Sequence, residues 1–156
     1  MKVVIIEDNP LKAQQITDAL LEFDSSIEIE QRRSYQSGLR FLLNDRADLI
    51  VLDMTMPTYD ITANEKGGRH RPYAGRDVLD EMKRKSIKSK VVVVTQFETF
   101  GEGLERKSLE VLRGELQNAF PDLYLGTVYY SSKLSGWRIE LCNFVKKISE
   151  ELRANE

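Results

Sequence analysis

The sequence has little of what several classes of protein depend on. It contains one cysteine, Cys142, which excludes an intramolecular disulfide. No apolar stretch approaches the roughly 20 residues of a membrane-spanning helix, and the aliphatic run at residues 3–6 is too short for the core of a signal peptide. The formal net charge of -2 gives no overall attraction to nucleic acid or to an anionic membrane. Together these absences predict a cytoplasmic protein that binds neither directly.

What is present is typical of a globular protein with one hydrophobic core. The chain has 156 residues, of which 41% are hydrophobic and 31% are charged. It shows no internal repeat, low-complexity tract or linker, and no second domain fits after residue 153. We therefore expect a single domain over residues 1–156.

Three carboxylates each follow directly on a short aliphatic run. Glu7 and Asp8 follow residues 3–6, and Asp53 follows Leu49–Leu52. Aliphatic runs without polar alternation suit strands that are buried on both faces of a parallel sheet. If these two strands are neighbours, their carboxyl ends bring all three acids into one crevice, which is where such sheets bind ligands.

Acids this close repel one another unless one is protonated or a cation joins them. Mg²⁺ prefers a few carboxylates together with water and phosphate oxygens, so the crevice predicts a metal-assisted phosphoryl site. Each acid alone has a plainer explanation, because a carboxylate after a strand often caps the next helix. The hypothesis therefore rests on the set.

Strand-like and helix-like segments alternate along the whole chain. Strands are expected at residues 3–6, 27–33, 49–53 and 91–94, and within residues 127–132. Helices are expected at residues 10–23 and 34–43, from about residue 76, from about residue 99 to residue 120, and at residues 137–152. Five strands that alternate with five helices predict a doubly wound α/β domain.

Two of these helices are predicted from specific signals. Asn9-Pro10 supplies a side-chain cap followed by proline at the first helical position. The expected apolar face of that helix consists of Leu11, Ile16, Ala19, Leu20 and Phe23. Thr99 and Glu102 have capping-box spacing before a helix expected to carry apolar side chains from Leu104 onward.

Two further side chains are expected at the same rim as the acids. Thr95 ends the fourth strand, and Lys133 lies at or just past the end of the fifth. A hydroxyl and an ammonium that face Asp53 are suitable donors for phosphoryl oxygens carried on that aspartate.

The pattern resembles the receiver domain of two-component response regulators over essentially the whole chain. The matching elements are the acidic pair Glu7-Asp8, Asp53 within residues 53–57, Thr95 after the fourth strand, Tyr130, and Lys133 after the fifth strand. The resemblance implies a flavodoxin-like fold with five helices and the strand order 2-1-3-4-5.

The resemblance also implies a role for each matching residue. Asp53 would be the phospho-acceptor, and Glu7, Asp8, Asp53 and the backbone carbonyl of Thr55 would hold Mg²⁺. Thr95 and Lys133 would bind the phosphoryl oxygens, and Thr95 with Tyr130 would form the conformational switch.

A receiver of this kind is a signalling domain, with at most self-catalysed phosphotransfer and autodephosphorylation. The implied partners are a sensor histidine kinase or phosphotransfer protein and a downstream effector protein, with a homodimer possible. One alternative is a pseudo-receiver that acts as a phosphorylation-independent interaction module. A second is an aspartyl-phosphate phosphatase, which usually needs a second acid two residues after the nucleophile, where this chain has Thr55.

The chain departs from the family in three places. Residues 58–74 form an insertion before Gly75, the span from Thr95 to Lys133 is long, and Leu134 stands where the family has proline. The insertion is basic, with Lys66, Arg69, His70 and Arg71. It is either a solvated mobile loop or a basic lid or docking surface beside the crevice.

Overall fold

A computed structural model describes residues 1–156 and shows a five-stranded parallel sheet. Its strands in chain order are β1 (Lys2–Ile6), β2 (Glu28–Arg32), β3 (Leu49–Leu52), β4 (Lys90–Thr95) and β5 (Tyr124–Tyr129). The spatial order is β2-β1-β3-β4-β5, which confirms the predicted doubly wound topology. The fifth strand begins and ends earlier than predicted.

The helices are α1 (Pro10–Phe23), α2 (Tyr35–Asn44), α3 (Ala74–Arg84), α4 (Leu109–Ala119) and α5 (Gly136–Ala154). One hydrophobic cluster lies between the sheet and α2, α3 and α4, and the other lies between the sheet and α1 and α5. Every residue of β3 is buried, because its aliphatic side chains point alternately into the two clusters. No helix is both long enough and apolar enough to cross a membrane.

The pairing of β1 with β3 sets the position of the crevice. Ile6 is the register partner of Leu52, and the Asp53 amide donates to the Ile6 carbonyl at 2.9 Å. The residues that follow both strands therefore leave the sheet side by side. This is the arrangement that the sequence predicted for the three acids.

The apolar face predicted for α1 is partly wrong. Leu11 is 58% exposed and Phe23 is 43% exposed, whereas Lys12 is only 1% exposed. The buried face of α1 consists of Lys12, Ala13, Ile16, Ala19 and Leu20. The buried face of α1 is therefore rotated, relative to the predicted apolar face, so that it includes Lys12. Hydrophobic periodicity alone does not predict that a lysine lies in a core.

The insertion at residues 58–74 is part of an exposed hairpin rather than an irregular loop. Its two short strands, Met56–Pro57 and His70–Arg71, pair antiparallel. The Asp60 carboxylate accepts hydrogen bonds from the hydroxyls of Ser34 (2.6 Å) and Ser37 (2.7 Å), which ties the hairpin to the start of α2. Arg71 is used structurally, since it pairs with Asp77 at 3.1 Å. We call this segment the first hairpin.

A second hairpin stands where the sequence predicted the start of a helix at Thr99. Short strands Thr99–Phe100 and Lys107–Ser108 pair antiparallel, and α4 begins only at Leu109, capped by Ser108. Gly101 and Gly103 have φ of +72° and +60°, a left-handed conformation that glycine adopts without strain and that interrupts a helix. Leu104 is consequently exposed at the turn.

Tyr73 joins the two hairpins. This residue directly precedes α3, and its hydroxyl lies 2.9 Å from the Phe100 carbonyl oxygen and 2.6 Å from that of Glu105. The tyrosine is buried although both hairpins are largely exposed. It anchors the second hairpin to the segment that leaves the first.

Candidate functional site

Three acids meet at the carboxyl edge of the sheet. One carboxylate oxygen from each of Glu7, Asp8 and Asp53 lies within 4.8 Å of the other two. Glu7 and Asp53 are buried and Asp8 is partly exposed, so the cluster opens toward solvent on one side. The structure thus brings together all three acids that the sequence singled out.

Asp53 is held by the backbone around it. Its Oδ1 accepts a hydrogen bond from the Met54 amide at 2.8 Å, and Oδ2 accepts none. Gly75, the second residue of α3, packs directly on this turn: a Cβ at residue 75 would lie 2.7 Å from the Asp53 carbonyl oxygen. Only glycine allows α3 to approach the Asp53 turn this closely without displacement.

Sequence reasoning missed the most buried charged residue of the crevice, Lys12. Its ammonium forms ion pairs with the carboxylates of Glu7 and Asp53, the latter at 3.2 Å. It also donates a hydrogen bond to the Val94 carbonyl oxygen at 2.7 Å. Lys12 therefore crosses from the first turn of α1 to the end of β4 and lies against two of the three acids.

One signal for Lys12 was present in the sequence. Lys12, Ile16 and Leu20 recur at steps of four, which places the lysine on the same helical face as two core residues. A lysine on such a face, one turn after an acidic pair, indicates a buried ion pair. A solvated residue would be expected to fall outside the apolar stripe.

The charges of the crevice do not balance. Burial and the nearby Asp53 carboxylate raise the pKa of Glu7 to about 9. Burial alone lowers the pKa of Lys12, but the Asp53 and Glu7 carboxylates outweigh burial and raise that pKa above its usual value. A single ammonium faces two buried carboxylates, so the site favours a further positive charge.

The donor set fits a hard divalent ion. Glu7 Oε1 is buried and accepts no hydrogen bond of good geometry, although it faces the Lys12 ammonium. Carboxylate oxygens in excess of their cations are the ligands that Mg²⁺ selects. Thr55, whose backbone carbonyl was expected to complete the set, follows Asp53 by two residues, and its hydroxyl donates to the Pro72 carbonyl at 2.9 Å.

Thr95 and Tyr130 lie at the carboxyl ends of neighbouring strands: Thr95 is the last residue of β4, and Tyr130 directly follows β5. Thr95 is fully buried, and its hydroxyl oxygen accepts a hydrogen bond from the Phe97 amide at 3.2 Å. The Tyr130 amide donates to the Thr95 carbonyl at 2.7 Å. The Tyr130 ring is buried, with its centroid 5.1 Å from that of Trp137 and 5.8 Å from the Lys12 ammonium.

The structure does not bring Lys133 to Asp53. Lys133 is exposed, its side chain makes no ion pair, and its amide donates to the Ser131 hydroxyl at 3.3 Å. Residues 132–136 are exposed between β5 and the first buried residue of α5. The ammonium beside Asp53 is that of Lys12.

Sequence relatives exist for nearly the full chain. It is 35% identical to the uncharacterized protein y4jR of Sinorhizobium fredii over 145 residues, 92% of this chain and 95% of that one. It is 32% identical to the Detocs response regulatory protein DtcB of Enterobacter cloacae over 152 residues, 96% of this chain and 99% of that one. No protein-family model matches the chain.

Solved structures show the same fold. A CheY-like response regulator receiver domain from Methanospirillum hungatei has a TM-score of 0.62 at 20% identity, covering 98% of this chain and 97% of that one. The response regulator TrrA from Thermotoga maritima, in complex with Mg²⁺-BeF, has a TM-score of 0.61 at 20% identity, covering 94% and 97%. The sheet order, the acidic crevice and the similarity to a response regulatory protein agree, and the chain belongs to the response regulator receiver family.

Proposed function

We propose that this chain is a receiver domain that accepts a phosphoryl group on Asp53 from a sensor histidine kinase or phosphotransfer protein. Its output is a change in contacts with a downstream effector protein or with a second copy of the chain. The observation that carries the proposal is the meeting of Glu7, Asp8 and Asp53 within 4.8 Å at the carboxyl edge of the sheet.

Glu7, Asp8, Asp53 and the backbone carbonyl of Thr55 are the residues that would hold Mg²⁺. When bound, the ion supplies positive charge that neutralises the phosphoryl oxygens. The TrrA structure contains Mg²⁺-BeF, which supports this assignment by similarity of fold.

The residues of the chain position the transfer itself. Because Asp53 Oδ1 is held by the Met54 amide and by Lys12, Oδ2 is the oxygen that attacks phosphorus. The new O–P bond forms as the bond between phosphorus and the donor nitrogen or oxygen breaks, and the donor leaves with that electron pair. The hydroxyl of Thr95, the last residue of β4, donates to a phosphoryl oxygen. Lys133 joins only if the exposed segment around it closes over the crevice.

The test is intact mass after incubation with acetyl phosphate and Mg²⁺. The wild type gains one phosphoryl group, and Asp53→Asn gains none. A gain that persists in Asp53→Asn would show that another residue is the acceptor.

A second candidate is the pseudo-receiver, a phosphorylation-independent interaction module. The observation that favours it is the ion pairing of Lys12 with both Glu7 and Asp53, which neutralises part of the acidic cluster within the chain itself. A wild-type chain that never gains a phosphoryl group, even at high concentrations of acetyl phosphate, would support this alternative.

A further inference from the structure

Lys12 is in an unusual place for a lysine. It lies in the first turn of α1, where the helix dipole disfavours a positive charge, and it is 1% exposed. An unpaired ammonium at this depth would be strongly destabilising. Its burial is tolerated because the ammonium contacts three acceptors: the Glu7 carboxylate, Asp53 Oδ1 and the Val94 carbonyl oxygen. The contact with Val94 is a hydrogen bond, and the contacts with the two carboxylates are ion pairs.

Two of these three acceptors are also proposed metal ligands. The Lys12 ammonium lies against Glu7 and Asp53, and the third acid, Asp8, makes no ion pair. A divalent ion that binds Glu7 and Asp53 must either displace the ammonium or share their oxygens with it. In both cases two positive charges approach within a few ångström, and their repulsion weakens metal binding.

We propose that Lys12 is the internal counter-cation of Glu7 and Asp53, and that binding of Mg²⁺ competes with it. The inference rests on the proposed metal site, which it deepens by naming the residue that sets its affinity. Lys12 is a positioning residue here: it holds the two buried carboxylates together and makes the metal displace a charge that belongs to the chain. Lys133, which is exposed and unpaired, has no such role.

The hydrogen bond of Lys12 to Val94 indicates where the ammonium lies after a metal displaces it. The Val94 carbonyl is a neutral acceptor that no metal ligand set requires, so Lys12 keeps this hydrogen bond when it loses its carboxylates. Val94 directly precedes Thr95, so the ammonium stays at the end of β4, near the hydroxyl proposed to bind phosphoryl oxygens.

The experiment is a Mg²⁺ titration of the wild type, Lys12→Met and a control, Lys147→Met, in which an exposed lysine of α5 loses its charge, followed by amide NMR. Two amides report on the site directly: Met54 N–H donates to Asp53 Oδ1, and Asn9 N–H donates to Glu7 Oε2. Methionine keeps the length of the side chain and removes the charge. We expect Lys12→Met to bind Mg²⁺ about tenfold more tightly or better, because a nearby like charge has been removed, and Lys147→Met to bind as the wild type does.

Unchanged or weaker binding in Lys12→Met overturns the inference and leaves the proposed function standing. Absence of binding in all three proteins overturns both the inference and the proposed metal site. A gain in Mg²⁺ affinity in Lys147→Met equal to that in Lys12→Met also overturns the inference, because it assigns the effect to overall charge.

A measurement on the wild type covers the case in which Lys12→Met does not fold. The buried ammonium of Lys12, held by two ion pairs and one hydrogen bond, should exchange slowly enough to give its own nitrogen-15 signal. That signal should change over the same Mg²⁺ concentrations as the Met54 amide. An ammonium signal that stays constant while the Met54 amide saturates shows that metal does not compete with Lys12.

Discussion

The Tyr130 hydroxyl donates a hydrogen bond to the side-chain carbonyl of Gln15 at 2.5 Å. This contact fixes the aromatic residue after β5 against α1, on the same side of the sheet as Lys12 and Trp137. The residue that the family resemblance assigns to the switch is therefore held inward by a specific partner. Any change in the position of Tyr130 must first break this hydrogen bond.

We expect Gln15→Ala and Tyr130→Phe each to lower the free energy of unfolding by about 1 kcal/mol, the usual net value of one hydrogen bond. The double variant should lose little more than either single variant, because both changes remove the same interaction. Urea unfolding followed by Trp137 fluorescence measures all three. Fully additive losses would mean that the two side chains stabilise the fold independently.

Asp8→Asn should weaken Mg²⁺ binding and leave stability without metal equal to that of the wild type or higher, since it removes one of three mutually repelling charges. Asn9 caps α1, accepting from the amides of Leu11 (3.0 Å) and Lys12 (3.2 Å). Asn9→Ala is therefore the control and should cost about 1 kcal/mol. Thermal unfolding in buffer with a chelator compares them. A marked loss of stability in Asp8→Asn would give Asp8 a structural role instead.

Gly75→Ala should destabilise the protein by about 1–3 kcal/mol, because its Cβ would overlap the Asp53 carbonyl oxygen and force the turn to move. Gly114 is the matched control: it lies within α4, and a Cβ there meets nothing within 4 Å. Gly114→Ala should stabilise by about 0.5–1 kcal/mol. Chemical denaturation of both variants tests the difference in sign. If Gly75→Ala and Gly114→Ala change the free energy of unfolding in the same direction and by similar amounts, α3 does not need glycine at residue 75 to approach the Asp53 turn.

Phe97 is expected to prolong the phosphorylated state. Its ring is 42% exposed, packs edge-on to Phe100 at 6.5 Å and follows Thr95 by two residues. An apolar ring at that rim excludes water and cannot orient an attacking molecule. We expect Phe97→Ala and Phe97→Glu to lose phosphoryl groups faster than the wild type at fixed Mg²⁺ after the donor is removed. If neither variant decays faster, Phe97 does not shield the site, and the first hairpin becomes the candidate for the shield.

The strands and the acidic cluster could be predicted from local sequence patterns, whereas the strand order followed from the resemblance to receiver domains. Aliphatic runs identify buried parallel strands, and the residues after them must meet once the strands are neighbours. Lys12 could not be assigned in this way. The burial of Lys12 depends on carboxylates from two other segments. Until those partners are known, a helical face that includes a lysine is expected to be exposed to solvent.

The predicted helix start at Thr99 shows the opposite problem. The spacing of Thr99 and Glu102 fits a capping box, whereas Gly101 and Gly103 favour a turn. The turn forms, because strand Thr99–Phe100 pairs with strand Lys107–Ser108. The partner strand, Lys107–Ser108, lies outside the four residues over which a capping box is recognised. The first hairpin escaped prediction for the same reason, because the hydrogen bonds of Asp60 to Ser34 and Ser37 join distant segments.

Tyr73 has a consequence for how such a receiver can be shortened or extended. Tyr73 lies in the segment that follows the first hairpin, and its hydroxyl contacts carbonyl oxygens of the second hairpin. Gly101 of the second hairpin packs close to the same hydroxyl: a Cβ at residue 101 would lie 3.0 Å from its oxygen. Deleting the second hairpin would leave the buried Tyr73 hydroxyl without an acceptor. Deleting the insertion through Tyr73 would remove the residue that anchors the second hairpin. The two insertions are therefore one module in two pieces of chain, to be transplanted or removed together.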